Sequence, residues 1–269
     1  LPWLDPAPSS GLQEAAREAR RRLLTSHAAE IGARALLLAH TQDDQAETLL
    51  MRLARGSGID GLGAMHPLTR IGGLKILRPL LGEPRAAIEA TLRARGIAWI
   101  DDPSNRNLVF ERVRLRRAMP QLEPLGLAST PLSLSARRLQ RAADALDLIA
   151  RRVLRPEAGI VRCDPLGFVR LDWSALMREP AEVRLRVLSW AIETAGGLVR
   201  PLSLARLEAL TEGRGWAMPA GRNFGRVVLR STRPDGHLLL LREPRRNAPP
   251  PMTLAAAGRW GFDGRFDVE

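Results

Sequence analysis

The feature that most constrains this chain is a short, largely apolar run set between two helical patterns. Residues 33–40, ARALLLAH, follow a stretch in which Leu12, Ala19 and Leu23 recur at helical spacing. A second helical pattern begins at residue 41. A short apolar run between two helices is typical of a buried parallel strand, so the sequence predicts an α/β layered domain.

The helix after this strand is predicted to be amphipathic. Thr41 has the residue type of an N-cap, and glycine at residue 56 ends the pattern. The apolar face predicted to lie against the core consists of Ala46, Leu49, Leu50 and Leu53. The opposite face holds Asp44, Glu47 and Thr48.

Two interpretations of that acidic face stay open on spacing alone. Acidic groups in a first helical turn are favoured by the helix dipole, which explains Asp43 and Asp44 without any ligand. The dipole does not explain His40, because this titratable ring ends the strand, where ligands of open α/β sheets bind.

A glycine-rich segment follows the helix, with glycines at 56, 58, 61 and 63. Such a loop lets a phosphate approach the backbone closely, although a plain flexible helix exit has the same composition. A basic helix beginning near residue 109 carries arginines at 112, 114, 116 and 117, as either a phosphate-binding stripe or a solvated face.

The rest of the chain suggests further layers. We expect a strand at LKILRPLL, a helix over residues 83–96, and a strand entering a turn at IAWIDDPSN. A long helix over residues 133–155 serves as a connector to a small α+β domain. The predicted domains are residues 1–125, 126–245, and 246–269 as a linker and the truncated start of a further segment.

Composition points to a nucleic-acid partner. The 269 residues carry 41 basic and 29 acidic side chains, a net charge of +12, and only Lys75 among the basic residues is a lysine. Guanidinium groups suit phosphates and base edges, although GC-rich coding also produces an arginine excess. The one cysteine, Cys163, favours a reducing compartment such as the cytoplasm. No stretch reaches the roughly 20 apolar residues of a membrane span.

Taken in order, five motifs resemble the tRNA(Ile)-lysidine synthetases of the PP-loop group. They are AAREARRRLL, LLLAHTQDDQAETLLMRLARGSGIDGLGAM, ILRPLL, GIAWIDDPSN and RVRLRRAMPQL. The resemblance covers about residues 12–122 and is looser beyond. It implies a Rossmann-like adenine nucleotide alpha hydrolase domain, here incomplete at its N-terminus, followed by a helical connector and a small α+β domain.

The resemblance also implies a two-step reaction on an isoleucine tRNA with a CAU anticodon. ATP, with Mg²⁺, adenylates the C2 oxygen of the wobble cytidine, and the amine of L-lysine then attacks C2 and expels AMP. In the family's pattern the positions of His40, Asp44, Arg20 and Arg112 belong to the active site. Asp44, with Glu47, is expected to bind Mg²⁺ or the lysine ammonium, while His40 and the arginines contact phosphate and the adenylated base. Further substrate-binding candidates are Asp43, Glu47, Arg17, Arg55, Gly56, Gly58, Arg78, Asp102, Asn105, Arg114 and Arg116.

One departure from the family bears on activity. The ATP-gripping string SGGxDS does not occur in this sequence. We therefore expect the chain to be a fragment that does not adenylate tRNA unaided. The alternatives are a PP-loop tRNA thiolase, which would need paired cysteines, and a non-catalytic RNA-binding module. A homodimer is left open.

Overall fold

The computed structural model describes residues 12–71, 73–100, 107–197, 202–211, 218–219, 221–232, 236–243, 260–262 and 266–268. The chain divides into two compact units, Leu1–Ala142 and Ala143–Glu269. The predicted domain limits at residues 125 and 245 stay predictions.

The first unit is a small mixed sheet with helices. Its elements are α1 (Leu12–Glu30), β1 (Ala35–Leu37), α2 (Gln42–Leu53), α3 (Ile59–Leu62), β2 (Leu68–Ile71), β3 (Leu74–Leu77), α4 (Arg85–Ala94), α5 (Glu111–Leu122), a 3₁₀ turn (Glu123–Leu125) and the start of α6 (Ser129–Val153). The strand order is β1-β3-β2, with β1 parallel and β2 antiparallel to β3. The α/β architecture and a parallel strand within residues 33–40 are confirmed. The predicted burial of this strand is wrong, because β1 is an edge strand of the described sheet and its Leu37 side chain is 64% exposed.

Helix α2 begins with a complete capping box. The backbone N–H of Asp44 donates to the Thr41 hydroxyl oxygen at 3.4 Å, and the Thr41 N–H donates back to the Asp44 carboxylate at 2.8 Å. The reciprocal bonds satisfy two backbone donors that a helix start leaves free. The predicted N-cap is therefore confirmed.

The apolar face of α2 packs against α5 and α6. Ala46 and Leu49 are buried in one cluster with Met119 and Ala136, and Leu50 packs against its edge. Leu53 contradicts the prediction, because its side chain is 58% exposed. It is the last residue of α2 and lies outside the cluster, which helical spacing alone does not reveal.

Two buried glutamines fix the end of the glycine-rich segment. The Gln45 side-chain amide donates to the Met65 carbonyl at 2.8 Å and accepts from the Met65 N–H at 2.7 Å. The Gln140 amide donates to the carbonyls of Gly63 and Met65. A Cβ on Gly63 would lie 2.9 Å from the Gln140 Cγ, so glycine permits this close approach.

The second unit is an antiparallel sheet with helices. Its elements are a 3₁₀ turn (Pro156–Ala158), β4 (Val161–Cys163), β5 (Val169–Asp172), α7 (Trp173–Leu176), α8 (Ala181–Gly196), α9 (Leu204–Thr211), β6 (Arg222–Phe224), β7 (Val227–Ser231) and β8 (His237–Arg242). The strand order is β4-β5-β8-β7-β6. Leu171, Leu229 and Leu240 on the sheet, with Val187 and Ile192 on α8, are fully buried in its core.

A two-residue turn joins β6 to β7. Gly225 and Arg226 both have positive φ, at 56° and 62°, as a type I′ hairpin requires. Beyond this sheet, β9 (Trp260–Phe262) and β10 (Phe266–Val268) pair antiparallel.

The strand predicted at IAWIDDPSN is wrong for its described part. Residues 97–100 lie in neither a helix nor a strand, and Ile100 is almost fully exposed. Residues 101–106 lie outside the described residues. The apolar composition suggested a buried strand, but these side chains are exposed and belong to no hydrophobic cluster of the described residues.

Strand β2 (Leu68–Ile71) was not predicted from the sequence.

We expect Gln45→Ala to destabilise the chain by about 1–3 kcal/mol, because the buried Met65 N–H loses its acceptor while the Met65 carbonyl keeps Gln140. Gln121→Ala, on the exposed side of α5, is the matched control and should change stability by less than about 0.5 kcal/mol. Urea unfolding measures both, and equal values for the two variants would contradict this role of Gln45.

Candidate active site

Two carboxylates of α2 meet two guanidinium groups of α5. The Arg112 Nη1 donates to the Asp44 Oδ1 at 3.2 Å, and the Arg112 Nη2 donates to the Thr48 hydroxyl at 3.2 Å. The Arg112 Nε lies 3.7 Å from the Glu47 Oε2. We call the set Asp44, Glu47, Arg112 and Arg116 the ion cluster.

The fork between Glu47 and Arg116 is the tightest contact of the ion cluster. The Arg116 Nε donates to the Glu47 Oε1 at 2.7 Å, and Nη2 donates to Oε2 at 3.2 Å. Such a bidentate pair fixes both distance and orientation. The Glu47 side chain is only 2% exposed, whereas those of Arg112 and Arg116 are 34% and 30% exposed. The carboxylates therefore lie inside and the guanidinium groups reach the surface.

The carboxylates of the ion cluster differ in their acidity. Burial raises the pKa of Asp44, but hydrogen bonds from the Thr41 N–H and hydroxyl, with the charges of Arg112 and His40, outweigh it and bring the pKa below its usual value. Burial dominates at Glu47 and raises its pKa, although Arg116 opposes the change. Burial lowers the pKa of Arg116, but the hydrogen bonds and charge of Glu47 reverse this and raise it.

His40 lies at the carboxyl end of the sheet, as predicted. It follows β1 by three residues and is half-buried, and its charge acts on Asp44. The structure thus brings together four of the predicted residues around Asp44, namely His40, Glu47, Arg112 and Arg116.

Asp43 contacts other elements than the ion cluster. Its Oδ2 accepts from the Arg85 backbone N–H at 2.8 Å, at the start of α4, and its Oδ1 accepts from the Ser129 hydroxyl at 3.0 Å, at the start of α6. This carboxylate ties three helix starts together.

Three predicted arginines make contacts within the protein away from the ion cluster. Arg78 donates to the His66 carbonyl at 2.8 Å. Arg114 donates to two carbonyls of the turn before α5, at 2.9 Å each. Arg55 forms an exposed ion pair with Glu111.

The remaining predicted residues are Arg20, Arg17, Asp102, Asn105, Gly56 and Gly58. Arg20 is exposed on α1, and among the described residues no hydrogen bond or ion pair joins it to the ion cluster. The Arg17 side chain, Asp102 and Asn105 lie outside the described residues. Gly56 has a φ of 64°, and Gly58 is the N-cap of α3.

Sequence reasoning missed the side chains that shape the glycine-rich segment. Arg52 donates through Nη1 to the carbonyls of Gly61 and Ala64, at 2.6 and 2.9 Å. Gln45 and Gln140 bind the same segment, as described above. Gln45 could have been found, because it lies beside Ala46 on the predicted core side of α2. Gln140 could not, because it lies 75 residues or more from its partners.

The described residues do not fit a magnesium ion at Asp44. One oxygen of its carboxylate accepts from the Thr41 N–H and hydroxyl, and the other accepts from Arg112. Within the described ranges, no group of three or more His, Cys, Asp or Glu side chains is placed to hold a metal ion. The predicted role of Asp44 as a Mg²⁺ ligand therefore has no support in the described residues.

No helix among the described residues is long and apolar enough to cross a membrane.

We expect the stability conferred by Asp44 to depend on acid pH. Because folding lowers the pKa of Asp44, its contribution is complete above the unfolded value of about 3.9 and is lost as pH falls through the folded value. Asp44→Asn should thus be destabilising at pH 7, and the difference from the unaltered chain should shrink below about pH 4.

Denaturant unfolding between pH 7 and pH 2.5 measures this difference. Glu123→Gln, which removes an exposed carboxylate of the same unit, is the control and should cost little at pH 7. If Asp44→Asn lowers the free energy of unfolding by the same amount at pH 7 and at pH 2.5, the carboxylate charge is not what stabilises the fold.

Several known proteins are similar in sequence to this chain. A model of the PP-loop domain matches residues 3–123. The tRNA(Ile)-lysidine synthase of Methylobacterium nodulans is 47% identical over 84% of this chain and 66% of its own length. That of Bradyrhizobium sp. strain BTAi1 is 44% identical over 79% of this chain and 60% of its own.

Another relative is covered more fully. The tRNA(Ile)-lysidine synthase of Methylobacterium sp. strain 4-46 is 43% identical over 91% of this chain and 72% of its own length. The chain thus spans 60–72% of the length of these three relatives. A solved structure, the U34-tRNA thiolase NcsA from Methanococcus maripaludis, has a TM-score of 0.42 at 19% identity over 52% of this chain and 47% of that one, too low to support an argument.

The domain match, the identity to curated relatives and the sequence motifs agree, and this chain belongs to the tRNA(Ile)-lysidine synthase family of PP-loop proteins.

Proposed function

We propose that this chain carries part of the site that forms lysidine in tRNA. The reaction is the ATP-dependent ligation of L-lysine to C2 of the wobble cytidine of a CAU-anticodon isoleucine tRNA, through an adenylated tRNA intermediate. The names of its relatives support the tRNA modification. The single observation that carries the proposal in the structure is the ion cluster, because it holds two guanidinium groups at the surface beside the carboxyl end of β1.

Arg112 and Arg116 are proposed to bind phosphate. Attack of the C2 oxygen on the α-phosphorus of ATP displaces pyrophosphate, and the charge on both phosphate groups must be stabilised by fixed donors. Each of these guanidinium groups uses some N–H groups on buried carboxylates and is about one-third exposed. Glu47 and Asp44 thus orient the donors before ATP arrives, which lowers the cost of ordering them.

The Asp44 carboxylate is the proposed contact for the lysine ammonium in the second step. In the ligand-free protein its Oδ1 accepts from Arg112, and Glu47 is only 2% exposed, so neither carboxylate is open to a cation. When a bound phosphate accepts the N–H that Arg112 gives to Asp44, this oxygen becomes available to an ammonium. This favours binding of lysine after adenylation, when its amine attacks C2 and AMP leaves.

Mg²⁺ is proposed to enter with ATP as part of the substrate complex, with no ligand assigned in this chain. His40, beside Asp44, is proposed to contact phosphate or the adenylated base. We also propose that residues 1–269 do not complete the reaction alone, because SGGxDS has no counterpart among them. The cytoplasm suits a tRNA substrate and a single free thiol.

The alternatives have less support. Sulfur transfer in the related thiolases uses paired cysteines, and this sequence has one, Cys163. A simple RNA-binding module needs its arginines free for phosphate, whereas Asp44 and Glu47 take some of the N–H groups of Arg112 and Arg116.

The test uses the natural protein that contains these residues. Arg112→Lys keeps the charge but loses the fork that contacts Asp44 and Thr48 together, so pyrophosphate release on tRNA should slow by about 10²-fold. Arg117→Lys, exposed on the same helix, is the matched control and should retain nearly full activity.

The product is measured by mass spectrometry of the tRNA. Lysidine formed at the normal rate by the Arg112→Lys protein would refute the assignment of the ion cluster. A thiolated base in place of lysidine would refute the proposed reaction itself.

A further inference from the structure

A groove in the second unit lies between α9 and the edge strand β6. Its volume is about 460 Å³, within the roughly 300–1,000 Å³ typical of small-ligand sites. Its lining consists of Arg206, Ala209, Leu210, Arg222, Asn223 and Phe224. None of the functional contacts proposed above involves these residues.

A cation–π pair of side chains forms one wall of this groove. The Arg206 guanidinium lies over the Phe224 ring, with its carbon 5.3 Å from the ring centroid. Phe224 packs against the core of the unit, which limits the motion of its ring, while Arg206 is exposed. A guanidinium plane held against an aromatic ring is a surface on which a nucleobase stacks well.

The remaining polar groups suit the edge and the phosphate of a nucleotide. Arg222 reaches toward the Leu210 carbonyl, with its Nη1 at 3.5 Å, and supplies a second positive charge. The Asn223 amide nitrogen donates to Glu243 at 2.7 Å, which leaves the Asn223 carbonyl oxygen as an acceptor. Among the described lining residues there is no carboxylate, so the groove itself favours an anion.

We propose that this groove binds one unpaired nucleotide of the RNA substrate. The base stacks on the Arg206–Phe224 pair over the apolar floor of Ala209 and Leu210, Arg222 contacts the phosphate, and the Asn223 oxygen accepts from an amino group of the base. The inference rests on the proposed function, since it takes tRNA to be the substrate. The groove residues begin at Arg206, whereas the last residue of the ion cluster is Arg116. The proposal therefore adds an RNA contact in the second unit.

An RNA is favoured over a free mononucleotide. The described lining residues include two arginines but no glycine-rich loop whose backbone N–H groups could bind a phosphate. We therefore expect weak affinity for a single phosphate group. Stacking of one base is worth about 5- to 150-fold in affinity, which matters mainly when the rest of an RNA is also bound.

The test measures binding of a transcribed CAU-anticodon tRNA to the 269-residue chain. Arg206→Lys keeps the charge and loses the flat stacking surface, and should weaken binding about tenfold. Arg162→Ala, exposed on the opposite edge strand β4, is the control for a lost surface charge and should weaken binding by less than about threefold. Ultraviolet crosslinking should attach the RNA to the peptide that contains Phe224.

Three results would overturn the proposal. They are unchanged binding by the Arg206→Lys chain, no measurable binding of the tRNA by the unaltered chain, and displacement of the crosslink by micromolar AMP, which would make the groove a mononucleotide site. Failure of the proposed function appears separately, as absence of lysidine from tRNA treated with the natural protein, whatever the binding result.

Discussion

The contact on which the first unit depends is the bidentate bond between Glu47 and Arg116. A carboxylate that is 2% exposed cannot stay ionised without a partner, and removal of the partner from a buried pair typically costs about 3–5 kcal/mol. The bond therefore fixes α5 against α2 at one register. In that register Arg112 reaches Asp44 and Thr48, and Met119 reaches the apolar cluster around Ala46. Ion pairing and core packing thus require the same placement of α5.

Asp44 has two roles that share one carboxylate. Its Oδ2 closes the capping box with Thr41, and its Oδ1 accepts from Arg112. The start of α2 and the position of the guanidinium are consequently linked. Asp43 adds a second link, because it joins the same helix start to α4 and α6. The amide contacts of Gln45 and Gln140 hold Gly63 and Met65 at the end of the glycine-rich segment that follows α2.

Local features were predictable from the sequence because they follow from local physics. The strand before His40, the Thr41 N-cap and the α2 helix each depend on neighbouring residues and were predicted correctly. The pairing of Glu47 with Arg116 spans 69 residues, so composition and spacing could place both as candidates but not in contact. The acidic face, whose role spacing alone left open, is buried because α5 supplies the compensating charges.

Predictions of burial and strand formation were wrong where the outcome depends on which other elements pack against a residue. Leu53 continues the apolar stripe of α2 but ends the helix beyond the cluster, and residues 97–100 have a strand-like composition without a strand. Arg78 and Arg114 each donate to nearby backbone carbonyls, which the sequence did not reveal, and their predicted substrate contacts stay predictions.

The central claim is that Glu47 acts by holding Arg116 in position for phosphate. A double-mutant cycle of Glu47→Gln and Arg116→Gln, measured on pyrophosphate release by the natural protein at saturating tRNA, tests it most directly. If Glu47 works through Arg116, the double variant should be no slower than the Arg116→Gln protein, because the two residues act as one unit. Rate losses that multiply in the double variant would show independent roles and contradict the account.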